Sequence, residues 1–150
     1  MGLFEKQKVW DLLQKGLDLT YAKDEKGLQY FNKAIDINPD DPVVWVMKGS
    51  ALSRLEKYQE ALGCFDKALE INLEVLADAW SSKGNALSKL DNHEEAIKCF
   101  DKALEINPND FDTWTGKGIA FDRLDKHEEA KKCYEKALDL KTQDKSKIWS

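Results

Sequence analysis

The sequence predicts an all-α chain built as a stack of antiparallel helix-turn-helix hairpins. Three observations carry this. Tryptophans recur as Trp45, Trp80, Trp114 and Trp149, at intervals of 35, 34 and 35 residues. The segments between them agree: KYQEALGCFDKALEIN at 57–72, NHEEAIKCFDKALEIN at 92–107 and KHEEAKKCYEKALDL at 126–140. Apolar residues keep helical spacing between polar breaks, and no stretch alternates with period two, so no strand is expected.

With the tryptophan numbered as position 4, the repeats follow in order within a single repeat domain over 1–150. Repeat one, 9–41, is degenerate: Leu12, Gly16, Gly27, Phe31 and Ala34 keep the register, and one residue is deleted between Gly16 and Gly27. Repeat two, 42–76, carries Gly49, Ala61, Phe65 and Ala68 at positions 8, 20, 24 and 27, with one extra residue near Leu73. Repeat three, 77–110, carries Gly84, Ala96, Phe100 and Ala103 there, and repeat four, 111–144, carries Gly118, Ala130, Tyr134 and Ala137. Each repeat reads as two helices. In repeat three, Ala79, Trp80, Lys83, Gly84, Leu87 and Leu90 keep one helical face. Asp91, Asn92 and His93 interrupt it as a polar turn, and Ala96, Ile97, Phe100, Ala103 and Leu104 resume it. Asn107-Pro108-Asn109-Asp110 then stops the helix and offers a cap for the next.

One hairpin cannot bury both of its apolar faces, so neighbouring repeats must stack. The expectation is that Gly49, Gly84 and Gly118 face Ala61, Ala96 and Ala130 across each hairpin, while the position-24 aromatic and position-27 alanine seat the next repeat. Residues 145–150 restart the pattern at Ile148 and Trp149, as the opening of a truncated fifth repeat or as a partial cap. An uncovered end is expected to associate, as a homodimer through the C-terminal ends; the alternative is a tail folded back with Trp149 over Phe121 and Tyr134.

These residues resemble the tetratricopeptide repeat family. Its pattern is Trp, Leu, Gly, Tyr, Ala, Phe, Ala and Pro at positions 4, 7, 8, 11, 20, 24, 27 and 32, and the resemblance covers residues 9–144. The chain departs from it at position 7, where Lys15, Lys48, Lys83 and Lys117 stand in place of leucine, and at position 32 in repeats two and four, where Leu73 and Thr142 replace proline. The resemblance implies a right-handed superhelical solenoid whose first helices line a concave groove for peptides.

Composition excludes several classes. The formal net charge of −5 argues against a general nucleic-acid or anionic-membrane binder, which needs clustered positive charge. No run approaches a membrane-spanning helix. The first residues lack the apolar run of a signal peptide, and Lys6 stands where a myristoylation motif wants Ser or Thr, so a cytoplasmic protein is expected. The alternative is a segment excised from a longer chain.

Candidate chemistry is sparse. Cys64, Cys99 and Cys133 all take position 23, in adjacent repeats about 10 Å apart. A disulfide needs Cα atoms within about 7 Å, so reduced packing thiols are expected. His93 and His127 take position 17, and His93 lies six residues from Cys99, off its helical face, so no metal site is expected. Gly116 and Gly118 lie in a helical segment without the remainder of a phosphate loop. No nucleophile–base pair stands out. The chain reads as a protein with no enzymatic activity and no cofactor.

In this family the groove is lined from first-helix positions 2, 5, 6, 9, 12 and 13. Carried onto this sequence, those positions supply Trp10, Leu13 and Leu17 in repeat one, and Val43, Val46, Met47, Ser50 and Arg54 in repeat two. Repeat three supplies Asp78, Ser81, Asn85 and Lys89, and repeat four Asp112, Thr115, Ile119 and Arg123. The groove is therefore expected to be apolar in its first part and polar in its second. Trp10, Leu13, Leu17, Val43, Val46 and Met47 form one apolar patch unless residues 1–8, with Leu3 and Phe4, fold back over it. Some family members clamp acidic chaperone tails with Lys and Asn at positions 5 and 9, Asn at position 6 of the next repeat, and Lys and Arg at positions 2 and 6 of the third. Here those positions read Leu13, Leu17, Met47, Asp78 and Ser82 from repeat one, or Val46, Ser50, Ser82, Asp112 and Gly116 from repeat two, and neither set can clamp a carboxylate. The expected function is an adaptor that binds a peptide segment of another protein. The alternative is a structural spacer or self-associating array without a groove ligand.

Overall fold

The structure, a computed structural model, describes residues 2–72 and 77–148, with residues 144–148 described as backbone alone. Eight helices and no strand occur among the described residues: α1 (Leu3–Tyr21), α2 (Gly27–Ile37), α3 (Pro42–Arg54), α4 (Tyr58–Ile71), α5 (Ala77–Lys89), α6 (His93–Ile106), α7 (Phe111–Arg123) and α8 (His127–Ile148). The single domain expected over 1–150 divides into two compact halves, Met1–Leu73 and Glu74–Ser150.

Capping explains where the first helices begin. Asp41 precedes α3 and accepts the backbone N–H of Val43 at 3.0 Å, with Pro42 pre-set for the first helical position. Asp110 repeats the device for α7, accepting the backbone N–H of Asp112 at 3.1 Å.

The turn inside each hairpin is the same four times. Lys23, Glu56, Asp91 and Asp125 hold φ values of 58°, 61°, 60° and 57°, in the left-handed region. In each turn the next residue donates its backbone N–H five residues back: Asp24 to Leu19, Lys57 to Leu52, Asn92 to Leu87 and Lys126 to Phe121, at 2.9–3.0 Å. This is the left-handed helix stop that glycine usually supplies, built here without one. His93, expected in the turn, is instead the first residue of α6.

The core is carried by the position-24 aromatics. Phe31, Phe65 and Phe100 are fully buried, and each such ring stabilises its hairpin by about 1.5–3 kcal/mol. The nearest neighbours of the position-8 glycines across each hairpin are these rings. A β-carbon on Gly49 would stand 2.6 Å from Phe65, one on Gly84 2.7 Å from Phe100, and one on Gly118 2.6 Å from Tyr134. Gly16 keeps the relationship with Phe31, at 2.8 Å. The reason is size: a ring laid across the first helix occupies the space that a glycine leaves open. Phe100 also seats the following repeat, because a β-carbon on Gly116 would meet its Cζ at 3.0 Å.

Leu3 and Phe4 do not fold back; they begin α1 and are exposed. Residues 145–148 prolong α8 with no turn at Asp144, so they open no separate fifth-repeat helix. Trp149 lies outside the described residues, as does Leu73 with the extra residue of repeat two.

Candidate functional site

The first half presents an apolar surface from α1 and α3. Trp10 is 59% exposed and Val43 50% exposed. Val46, Met47 and Ser50 are half-buried. Leu13 departs from expectation: at 5% exposure it belongs to the core, packed in one cluster with Val9, Phe31, Ala34, Val44 and Ala51. The buried face of α1 runs Val9, Leu13, Gly16, Thr20, one helical stripe, and Leu13 sits at its centre. Leu17 and Met47 pack against the same cluster and offer only part of their surface. Arg54, half-buried, lies over the Tyr21 ring at 4.2 Å and donates to its hydroxyl at 3.0 Å.

The second half presents a polar surface from α5 and α7. Ser81 and Thr113 share a hydrogen bond of 2.7 Å that ties the two helices, so Ser81 serves the packing. Thr115 donates to the carbonyl of Phe111 in its own helix at 2.8 Å. Asp78 and Asp112 are exposed in the first turns of α5 and α7, where the helix dipole favours negative charge. Toward the other ends of these helices Asn85, Lys89, Ile119 and Arg123 line a pocket of about 310 Å³ together with Ser88, Asp91, His93 and Gly116. Ile119 is 47% exposed. The Ser88 hydroxyl and Nδ1 of His93 are both buried with no protein partner. Among the described residues neither Lys89 nor Arg123 has an ion pair. His93 was not among the expected groove residues; its place at position 17 of a repeat already reaching the groove was the available signal.

A second surface lies within each hairpin. The position-7 lysines that depart from the family pattern stack on the position-4 tryptophans: Lys48 on Trp45 at 5.7 Å, Lys83 on Trp80 at 5.6 Å and Lys117 on Trp114 at 5.2 Å. The lysine stem covers the indole as a leucine would, and the ammonium adds a cation–π attraction. The indole N–H groups of Trp45 and Trp114 donate to the carbonyls of Pro39 and Pro108 at 2.8 and 2.9 Å, which ties each repeat to the proline turn before it. Cys64, Cys99 and Cys133 are buried, and burial pushes the thiols of Cys64 and Cys133 up from their ordinary value. No described helix is long and apolar enough to cross a membrane.

Comparison with known proteins agrees with this architecture. The chain is 42% identical over 59 residues to the uncharacterised protein MJ0572 of Methanocaldococcus jannaschii, covering 39% of this chain and 69% of that one. It is 36% identical over 63 residues to the TPR repeat-containing protein MJ0941 of the same organism, covering 41% of this chain and 19% of that one. A crystal structure of MamA superposes with a TM-score of 0.81 at 22% identity, covering 92% of this chain and 81% of that chain. MamA from residue 41 onward, of Desulfovibrio magneticus RS-1, superposes with a TM-score of 0.79 at 23% identity, covering 93% and 78%. At these identities the likeness is one of fold. Tetratricopeptide repeat patterns match residues 30–63, 77–110 and 111–143. With the described helices in paired hairpins and the glycine–aromatic register repeated through them, the chain belongs to the tetratricopeptide repeat family.

Proposed function

We propose that this chain is a protein-interaction module that binds a peptide segment of another protein along the first helices of its repeats. The observation that carries the reading is the exposure of Trp10 and Val43 on the first-helix surface of α1 and α3. Large apolar side chains left in water at a repeat surface mark a partner site. Leu17, Val46 and Met47 extend that surface, and the polar residues of α5 and α7 supply a distinct second contact region. The clamp for acidic chaperone tails is not part of this function, because Leu13, Leu17, Met47, Asp78 and Ser82 occupy its positions. The acidic balance of the chain supports a protein partner over a nucleic acid, and the proposed role is that of a cytoplasmic, non-enzymatic adaptor.

The test uses the exposed residues, since Leu13 is needed for folding. Wild type and a Trp10→Glu/Val43→Glu variant are used as baits, with circular dichroism to check that both fold. Proteins captured by wild type and lost by the variant are the groove partners. Identical captures by both would sink the reading and leave a spacer.

A second reading, a homodimer through the C-terminal end, is favoured by the exposure of Leu138 on α8. Light scattering over a dilution series tests it; a Leu138→Glu variant is expected to stay monomeric where wild type associates. A wild type that is monomeric throughout rules it out.

A further inference from the structure

We propose that the last hairpin carries a second docking pocket, on the side of α7 turned away from the groove, which takes one apolar side chain from an acidic segment of a partner protein. The pocket encloses about 380 Å³ between α7 and α8, with Trp114 and Phe121 from α7 and Lys132 and Lys136 from α8 in its lining. Lys117, in the same lining, lies about 200° around α7 from Ile119, so pocket and groove fall on opposite sides of that helix. A partner held here leaves the groove free.

Apolar surface is the first feature that sets the guest. Trp114 and Phe121 are half-buried, two helical turns apart, and the lysine stems add methylene groups beside them. The Lys117 ammonium lies over both rings, 5.2 Å from Trp114 and 5.7 Å from Phe121. A stacking nucleobase would compete with a cation already in place, whereas an aliphatic side chain packs on the ring edges and the stems.

Charge is the second. Lys117, Lys132 and Lys136 share the lining with one carboxylate, Glu129, in a chain whose net charge is −5. Lys117 is paired with Asp101 of α6 at 2.6 Å. Lys132 and Lys136 are exposed, one turn apart, and have no ion pair among the described residues. They are complementary to acids flanking the apolar guest. The hairpin before it shows why the site is local. The same repeat positions there enclose a pocket of about 330 Å³ around Trp80. In that pocket Lys98 pairs with Glu95 at 2.6 Å, and Lys102 pairs with Glu105 at 3.1 Å. The last hairpin has Asp139, one methylene shorter, at the position of Glu105, and its Lys136 stays unpaired. One repeated design thus gives a neutralised pocket in the third repeat and a cationic one in the fourth.

The probe is acetyl-Asp-Glu-Leu-Glu-Asp-amide, titrated to millimolar concentration into the isotope-labelled protein. It is expected to shift the Trp114 indole N–H and the backbone amides of Lys132 and Lys136, and to leave the Trp80 indole in place. Replacing the leucine of the peptide by alanine is expected to weaken binding about tenfold, the loss of one buried side chain. Replacing its acids by their amides is expected to weaken binding about tenfold as well. Lys132→Gln/Lys136→Gln, checked for fold by circular dichroism, is expected to lose the preference for the acidic peptide. Glu129→Gln is expected to bind that peptide about threefold more tightly, with one repulsion removed. Equal affinity for the acidic and amide peptides, no gain in Glu129→Gln, or equal shifts at Trp80 and Trp114 overturns the pocket. A uridine oligonucleotide that binds there more tightly than the peptide overturns it too. So does a Trp114 shift on concentrating the protein alone, which would give the pocket to a second copy.

Discussion

A β-carbon built on Gly84 would stand 2.7 Å from Cε1 of Phe100, closer than real side chains approach. The glycine is therefore a packing requirement of the ring, and any side chain there must displace it. Gly84→Leu is expected to lower stability by about 1–3 kcal/mol, the cost of overpacking. Urea unfolding of wild type and variant measures it. A midpoint unchanged by Gly84→Leu would refute the close approach.

The hairpin turns predict the opposite sign for glycine. Glu56 holds a φ of 61°, where an L side chain crowds its own carbonyl. Its exposed side chain sits at 4.0 Å from Lys23, a surface pair of little worth. Glu56→Gly is expected to raise stability by about 1 kcal/mol by removing that crowding. Thermal unfolding reads the change, and a lower midpoint would mean that the glutamate contributes something the turn geometry does not show.

Asp122 ties two residues of α8 and makes stability depend on pH. Its Oδ1 lies 3.0 Å from Nδ1 of His127, and its Oδ2 accepts the Tyr134 hydroxyl at 2.7 Å. These bonds, His127 first and Tyr134 second, hold the Asp122 carboxyl below its ordinary range. The bond to Asp122 raises the His127 imidazole above its ordinary value. Burial, then the bond to Asp122, pushes the Tyr134 hydroxyl up to about 12, so it remains a donor. The aspartate contribution is present above the unfolded value of 3.8 and fades as pH falls through the lowered one. The histidine contribution is full below 6.5 and fades as pH rises through the raised one. The pair thus stabilises most between those values. A proton titration of His127 in wild type and Asp122→Asn checks this: the variant is expected to titrate at a lower pH, and coincident curves would exclude the pairing.

Acidic chaperone-tail peptides are expected to bind more weakly than about 100 μM, about −5.5 kcal/mol, because the clamp positions carry Leu13, Leu17 and Met47 in place of cations and amides. Calorimetry decides it, and low-micromolar binding would require a cation set other than the one the clamp uses.

The sequence by itself determined the helices, the hairpins and the register. Trp45, Trp80 and Trp114, with Gly49, Gly84 and Gly118 four residues later, recur because each repeat must present the same packing surface to the next. Periodicity of this kind is a property of the chain and is legible in it. The sequence also placed Asn85, Lys89, Ile119 and Arg123 at the groove register, and the structure brings those four to one pocket.

Only the tertiary structure decided what each small or apolar residue faces. The atoms nearest a β-carbon on Gly84 are those of the Phe100 ring, which reaches across the hairpin into the space the glycine leaves open. Leu13 lies in the core and Trp10 in solvent, although both fall on positions expected to line the groove, because the buried stripe of α1 turns toward Phe31 and Val44. The buried atoms of Ser88 and His93 became visible as unpartnered only once every neighbouring donor and acceptor had a place. Helical spacing is a local property of one segment, whereas burial and hydrogen-bond satisfaction depend on the segments that pack against it.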